Sequence, residues 1–466
     1  MPVREQPHDP ADYGDRIADV DDDTCPEDAA VDATADAVAS VGGEGPVLES
    51  GIGNDRLTGP PAAGKVDRAP TPGQRAAGDF GAVGTGRMLY IDNIRAVLIS
   101  LVVVGHLAIT YSGESGIGDW YYRQSGRVSD ATAILMTMLL GIGAAFAMGL
   151  FFLIAGYFTP RPYDRKGAGR FLADRLVRLG IPLAFYALII NPLVTYWASV
   201  ASGYAGSFWQ FVTTRTQDLT EASVGPLWFV EGLLIFSVIY ALGRLASDRA
   251  GGSNRVKGAT RAPGNLAISL FVLVVGLVTF VVRVWAEVGW QWEPPHLELA
   301  HFPQYVAMFA AGIVAYRRNW FVTVTDRQAR PWGWVALAGV LLLPVLAVAA
   351  GALEDHIDPA LAGGFTWLSL AYSVWEASMC VSVSITALTL FRRRSNKQGR
   401  LARTMGADAY AVYVLHPLII VPLAILLSGV TWPLELMFLL AAPLGVALCF
   451  LIGHAVRRLP LVRQVL

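Results

Sequence analysis

The chain has 466 residues, of which 54% are hydrophobic and 16% charged, and its mean hydropathy is +0.46. Soluble domains carry about 25% charged residues, so the composition excludes an ordinary soluble protein and implies a polytopic membrane protein. The net charge of −1 conceals two opposed regions: residues 1–86 hold 17 acidic and 6 basic residues, and 87–466 hold 20 acidic and 30 basic. A basic membrane domain suits positively charged cytoplasmic loops and anionic ligands on that side; no nucleic-acid partner is expected. Cys25, Cys380 and Cys449 are scattered without metal-ligand spacing, so neither a disulfide framework nor a metal site is expected.

Residues 1–86 are rich in Asp, Ala, Gly and Pro, poor in aromatics and without a periodic apolar face, which predicts a disordered acidic tail and linker. The tail lacks the charged, apolar and cleavage regions of a signal peptide, so the first span is expected to direct insertion. The membrane domain is read as 87–466. Apolar segments of transmembrane length recur near 92–112, 131–158, 178–200, 226–246, 266–289, 301–316, 332–352, 366–391, 408–428 and 433–455. The expected fold is therefore an all-α bundle of about ten transmembrane helices. Arg and Lys concentrate in alternate loops, 159–177, 247–265, 317–330, 392–403 and 457–463, whereas the intervening loops are acidic or neutral. The positive-inside rule then places both termini in the cytoplasm and membrane lipid around the bundle. No repeat relates the two halves of the domain.

The first span, from Met88 to Tyr111, carries three groups that a bilayer normally excludes: Asp92, Arg95 and His106. Arg95 and His106 are eleven residues apart, so on a helix they lie within ~20° of one stripe and ~16 Å apart along it. Asp92 and Arg95 are spaced as an ion pair; His106 is either a functional group or a hydrogen-bonded helix contact. At the start of the third span, Arg170, Arg175 and Arg178 offer guanidinium forks that suit a phosphate-bearing ligand, or else serve as topology signals and lipid-headgroup contacts. The fourth span opens with Trp228 and Glu231 at i, i+3. Glu231 is a membrane-buried carboxylate expected at the depth of His106, where it could orient that histidine; Trp228 is a pocket residue or an interfacial anchor. In the ninth span Tyr410, Tyr413 and His416 recur every three residues as a polar edge, and Pro417 follows. The edge serves a binding site or interhelical hydrogen bonds. Glu376 is a further buried carboxylate with no evident role; Glu435 and His454 lie near span ends.

Arg95-x10-His106, Arg175-x-x-Arg178, FFLIAGYF (Phe151–Phe158), GPLWFVEGLLIF (Gly225–Phe236) and YAVYVLHPL (Tyr410–Leu418) occur in this order. Together they resemble the acyltransferase-3 family of membrane O-acyltransferases. LWFVE and HFPQYVAMFAAGIVAYRR are most similar to the glucan-modifying, succinyltransferase-like branch. The resemblance covers roughly 88–456. It implies that His106 is the essential catalytic residue with Arg95 as its motif partner. It also implies that Arg175 and Arg178 serve the acyl donor, a cytoplasmic acyl-CoA acting as co-substrate with no permanently bound cofactor. An extracytoplasmic carbohydrate is the implied acceptor. Two departures stand out: Ala155 sits where the family often has Ser, and no extracytoplasmic hydrolase-like domain follows the tenth span, so a second transfer step is expected of another protein. The reaction expected is proton removal from an acceptor hydroxyl by neutral His106 followed by attack on the thioester, or passage through an acyl-histidine. Glu231 assists, and Trp228, Tyr413 and His416 line the acceptor pocket. The alternative is a proton-coupled transporter that uses His106, Glu231 and Glu376 as a relay.

Overall fold

The computed structural model describes residues 88–115, 120–215, 224–249, 261–292, 297–352, 358–460 and 462. The acidic stretch 1–86 and the loop residues 116–119, 216–223, 250–260, 293–296 and 353–357 lie outside the described residues, and with them several of the loop charges read above. Ten long helical segments are described: α1 Leu89–Thr110, α2 Asp130–Phe158, α3 Pro160–Ala201, α4 Trp228–Arg249, α5 Asn265–Arg283, α6 Phe302–Arg318, α7 Asp326–Ala349, α8 Trp367–Arg394, α9 Arg400–Leu427 and α10 Leu434–Arg457. Nine are long and apolar enough to cross a membrane, and α6, with 17 residues, is the shortest. Among the described residues the only sheet is a two-residue antiparallel pairing of Gln291–Trp292 with Leu297–Glu298. The chain is an all-α, multi-pass membrane protein.

Local chemistry sets the boundaries. Ser129, Thr325 and Thr366 cap the starts of α2, α7 and α8 by accepting from Thr132, Gln328 and Ser369 backbone N–H groups. Asn319 ends α6 in the left-handed conformation, at φ 54°. Contacts at the helix ends show the alternation directly. Asn93 on α1 donates to the Ser395 carbonyl (2.6 Å) between α8 and α9. Arg244 and Arg317, at the ends of α4 and α6, share Asp164 at the start of α3 (2.8 and 2.6 Å). Arg457 at the end of α10 pairs with Asp408 near the start of α9 (2.9 Å). These termini and their arginines form one basic end of the bundle. At the opposite end, Glu435 of α10 accepts from the Ser129 backbone N–H (2.8 Å).

α1 and α9 form the centre, each with 67% of its membrane-crossing window buried, whereas only 17% of α7 is buried and the rest presents Leu and Val outward. α2 and α6 approach most closely at Gly156 and Gly312. A Cβ at Gly156 would overlap the Phe309 carbonyl, and one at Gly312 the Leu153 carbonyl; small residues at such crossings let two backbones meet.

Three boundaries differ from the sequence expectation. The segment 159–177, read as a loop, is helical from Pro160, with one break at Gly167 (φ 75°). Proline at the first helical turn is favourable, but charge hides the helix from a hydropathy-based reading. α5 stops at Arg283 rather than 289, and α9 begins at Arg400, a turn or more before its apolar run. α3 is also not a plain α-helix. Ile181 and Asn191, which precede Pro182 and Pro192, each donate to the carbonyl five residues back, so Leu176–Gly180 and Tyr186–Ile190 are π-wound. A proline lacks the N–H that its i−4 carbonyl needs and crowds that carbonyl, and π winding just before each proline eases the crowding.

Candidate active site

Arg95 and Asp92 are both buried, at 1% and 4% exposure. The guanidinium donates to Asp92 Oδ1 (3.1 Å) and to the Gly406 carbonyl of α9 (3.2 Å). A buried cation needs a carboxylate and further acceptors to offset its lost hydration, and these contacts pin α1 to the start of α9. The ion-pair reading of this spacing is correct, and it places Arg95 as a brace between two central helices.

Three turns further along α1, His106 is fully buried. Its ring packs on Trp120 (centroids 3.9 Å apart) and on His416 of α9 (5.0 Å), and Trp120 and His416 lie nearly parallel, 5.9 Å apart at 10°. Trp120 comes from the connection after α1, outside any periodic pattern. Its neighbour Tyr121 fixes that connection against α3, donating to Asn191 Oδ1 (2.5 Å) and meeting the Tyr186 hydroxyl (2.8 Å).

The polar edge of α9 reaches three main-chain carbonyls, two of which a proline leaves without its helical donor. Pro182 cannot donate to the Arg178 carbonyl, and Tyr410 Oη donates to it instead (2.5 Å). Tyr413 Oη donates to the Pro226 carbonyl, where the chain enters α4. Pro417 cannot donate to the Tyr413 carbonyl, and His416 Nδ1 lies 2.6 Å from that oxygen. A carbonyl only accepts, so Nδ1 carries the proton and Nε2 keeps its lone pair. One helix edge thus joins the turn bearing Arg178 to the histidine pair, with Tyr410 and His416 ~9 Å apart along the axis.

The other expected residues are spread around this centre. Arg170 is exposed, Arg175 is buried with its guanidinium 5.3 Å from the Phe171 ring, and Arg178 is half-buried. Trp228 is 3% exposed and packs on Tyr305 of α6 (5.6 Å), so it is a core residue and not an interfacial anchor. Glu231, one turn on, makes no hydrogen bond to His106; its Oε2 is buried without a partner among the described residues. The group beside His106 is His416, since the Tyr413–Pro226 contact ties α9 to the start of α4 while Glu231 projects from the following turn.

A second buried cluster explains Glu376. Its carboxylate accepts from Arg283 Nη2 (2.5 Å) and His301 Nδ1 (2.6 Å). Arg283, fully buried at the end of α5, also donates to Ser373 Oγ and the Ala300 carbonyl (both 3.3 Å) and lies 5.0 Å from the Tyr372 ring. Glu298 Oε1 stands 3.5 Å from His301 Nε2. Of this cluster the sequence singles out only Glu376; Arg283 falls inside the apolar run of its span.

Around this centre the fold is a multi-pass helical bundle, and the chain belongs to the acyltransferase-3 family, whose profile, described as "Acyltransferase domain", matches residues 88–454. Among characterised relatives it is similar to glucans biosynthesis protein C of Salmonella schwarzengrund (strain CVM19633), at 27% identity over 163 residues. It is equally similar to the protein of the same name from Salmonella paratyphi B (strain ATCC BAA-1250 / SPB7), at 27% over 164 residues. The aligned stretch is 34% of this chain and covers 39% of each relative's length. No solved structure matches the chain. The family decides between the two sequence readings in favour of the acyltransferase, and nothing supports the transporter.

Proposed function

We propose that the chain transfers an acyl group from acyl-CoA, arriving at the basic end on the cytoplasmic side, to a hydroxyl of an extracytoplasmic glycan. The observation that supports this reading is the α9 edge, which ties the Arg178 turn to the His106–His416 pair along a single helix. Arg175 and Arg178, with Arg170 at the surface, hold the phosphates of the donor, and the thioester extends along α9 toward His106. His106 takes the proton of the acceptor hydroxyl as its oxygen attacks the thioester carbonyl. The C–S bond breaks, and the departing thiolate recovers that proton from the imidazolium. Arg95 acts by holding α1 against α9. Glu231, Trp228, Tyr413 and His416 border the space the acceptor enters. The relatives named for glucan biosynthesis support a glucose polymer as the acceptor class.

Two measurements test the parts of this reading. Replacing Arg175 and Arg178 together by alanine is expected to weaken acyl-CoA binding by about 1.5–3 kcal/mol for each charged hydrogen bond lost. Unchanged affinity of the purified double variant, measured calorimetrically, would move the donor site elsewhere. Orientation is tested with single cysteines, after Cys25 is replaced. Thr431→Cys, between α9 and α10, should react with an impermeant maleimide in intact cells, and Asn396→Cys, between α8 and α9, should not. The reverse pattern would invert the topology and the side from which the donor comes.

A further inference from the structure

Beside His106, two polar atoms of opposite kind are buried without a hydrogen-bond partner among the described residues: Trp120 Nε1 and His416 Nε2. Their side chains are 7% and 0% exposed, their rings are nearly parallel, and both pack on His106. An indole N–H can only donate. His416 Nε2 can only accept, because Pro417 leaves the Tyr413 carbonyl to hold the imidazole proton on Nδ1. Burying such groups unsatisfied is costly, and here a donor and an acceptor occur as neighbours at the base. A carboxylate has no proton to give Nε2, and an ammonium has no lone pair for the indole. A hydroxyl satisfies both: its oxygen accepts from Trp120 and its proton goes to His416.

We infer that Trp120 and His416 form a hydroxyl-specific acceptor subsite, holding a second hydroxyl of the acceptor next to the one that His106 deprotonates. The acceptor class is then a polyol with neighbouring hydroxyls, as on a sugar ring, and not an isolated alcohol. The inference rests on the acyl-transfer reading above and adds to it the residues that select the acceptor.

The test uses membranes from cells making the full chain, labelled acetyl-CoA or succinyl-CoA as donor probes, and two products measured together: label esterified to membrane glycan and label released to water. Trp120→Phe keeps the ring and removes the N–H. His416→Asn places an amide N–H where Nδ1 stood, so the Tyr413 carbonyl keeps its donor while the Nε2 lone pair is lost. Each variant should lower the ratio of glycan transfer to hydrolysis at least about fivefold, the scale set by leaving one buried hydrogen-bonding group unpaired. The double variant should fall no further than the worse single, because both side chains hold the same hydroxyl. In the wild type, trans-1,2-cyclohexanediol should compete with the glycan at lower concentration than cyclohexanol does, and Trp120→Phe should erase that difference. A side chain that only packs, or a subsite holding only water, would leave the ratio and the competition unchanged while total turnover fell, and that result overturns the inference with acyl transfer intact. A wild type that neither transfers nor hydrolyses either donor overturns the acyl-CoA reading, and the subsite with it.

Discussion

Replacing His106 by alanine is expected to reduce acyl transfer to background while the purified protein still binds acyl-CoA. The ring lies at the meeting point of α1, α9 and the Trp120 connection, buried on all sides, and positioned general-base catalysis contributes about 10²–10⁴ in rate. On the proposed reading the donor's phosphates bind ~16 Å away along α1, at the depth of Arg95 and the basic end, so the two properties are expected to separate. Binding and transfer assays on one preparation decide the matter. Loss of acyl-CoA binding in a folded His106→Ala protein would instead place this residue in the donor site, and the base would have to be His416 or Glu231.

The largest expected effect on stability lies elsewhere. Glu376→Ala leaves the Arg283 guanidinium fully buried without the carboxylate 2.5 Å from it, and removing one partner of a buried ion pair costs about 3–5 kcal/mol. The variant should melt well below the wild type in detergent and accumulate poorly. Arg283→Met combined with Glu376→Leu removes both charges and should recover most of that loss, since an apolar pair of similar volume is often neutral or better. A single variant as stable as the wild type, or a double variant worse than the single, would show that the Arg283–Glu376–His301 cluster is not what holds α5, α6 and α8 together.

The membrane helices were legible in the sequence because a long apolar run has few alternatives to spanning a bilayer. Asp92 with Arg95, and the Tyr410, Tyr413 and His416 edge, were legible because each lies within one helix, where spacing fixes direction. What each group touches was not. His106 meets Trp120 through a connection that has no periodicity, and Arg283 finds Glu376 93 residues away. The helical start of α3 is hidden by its charge, and its two π-wound turns follow from prolines whose effect on winding a hydropathy pattern does not register. Pro417 is the instructive case: the residue that breaks the hydrogen-bond ladder of α9 also sets the tautomer of the histidine before it.

Acyl transfer to a glycan through His106 leaves a mass change that mass spectrometry of envelope glycans reads. Glycans would be compared from cells carrying the wild-type chain, lacking it, and carrying a His106→Ala chain made at the same level in the membrane. An acyl mass increment is expected on a glycan with the wild type and is expected to be absent from the other two. An increment that persists with His106→Ala, or glycans that do not change when the chain is deleted, would contradict acyl transfer through His106.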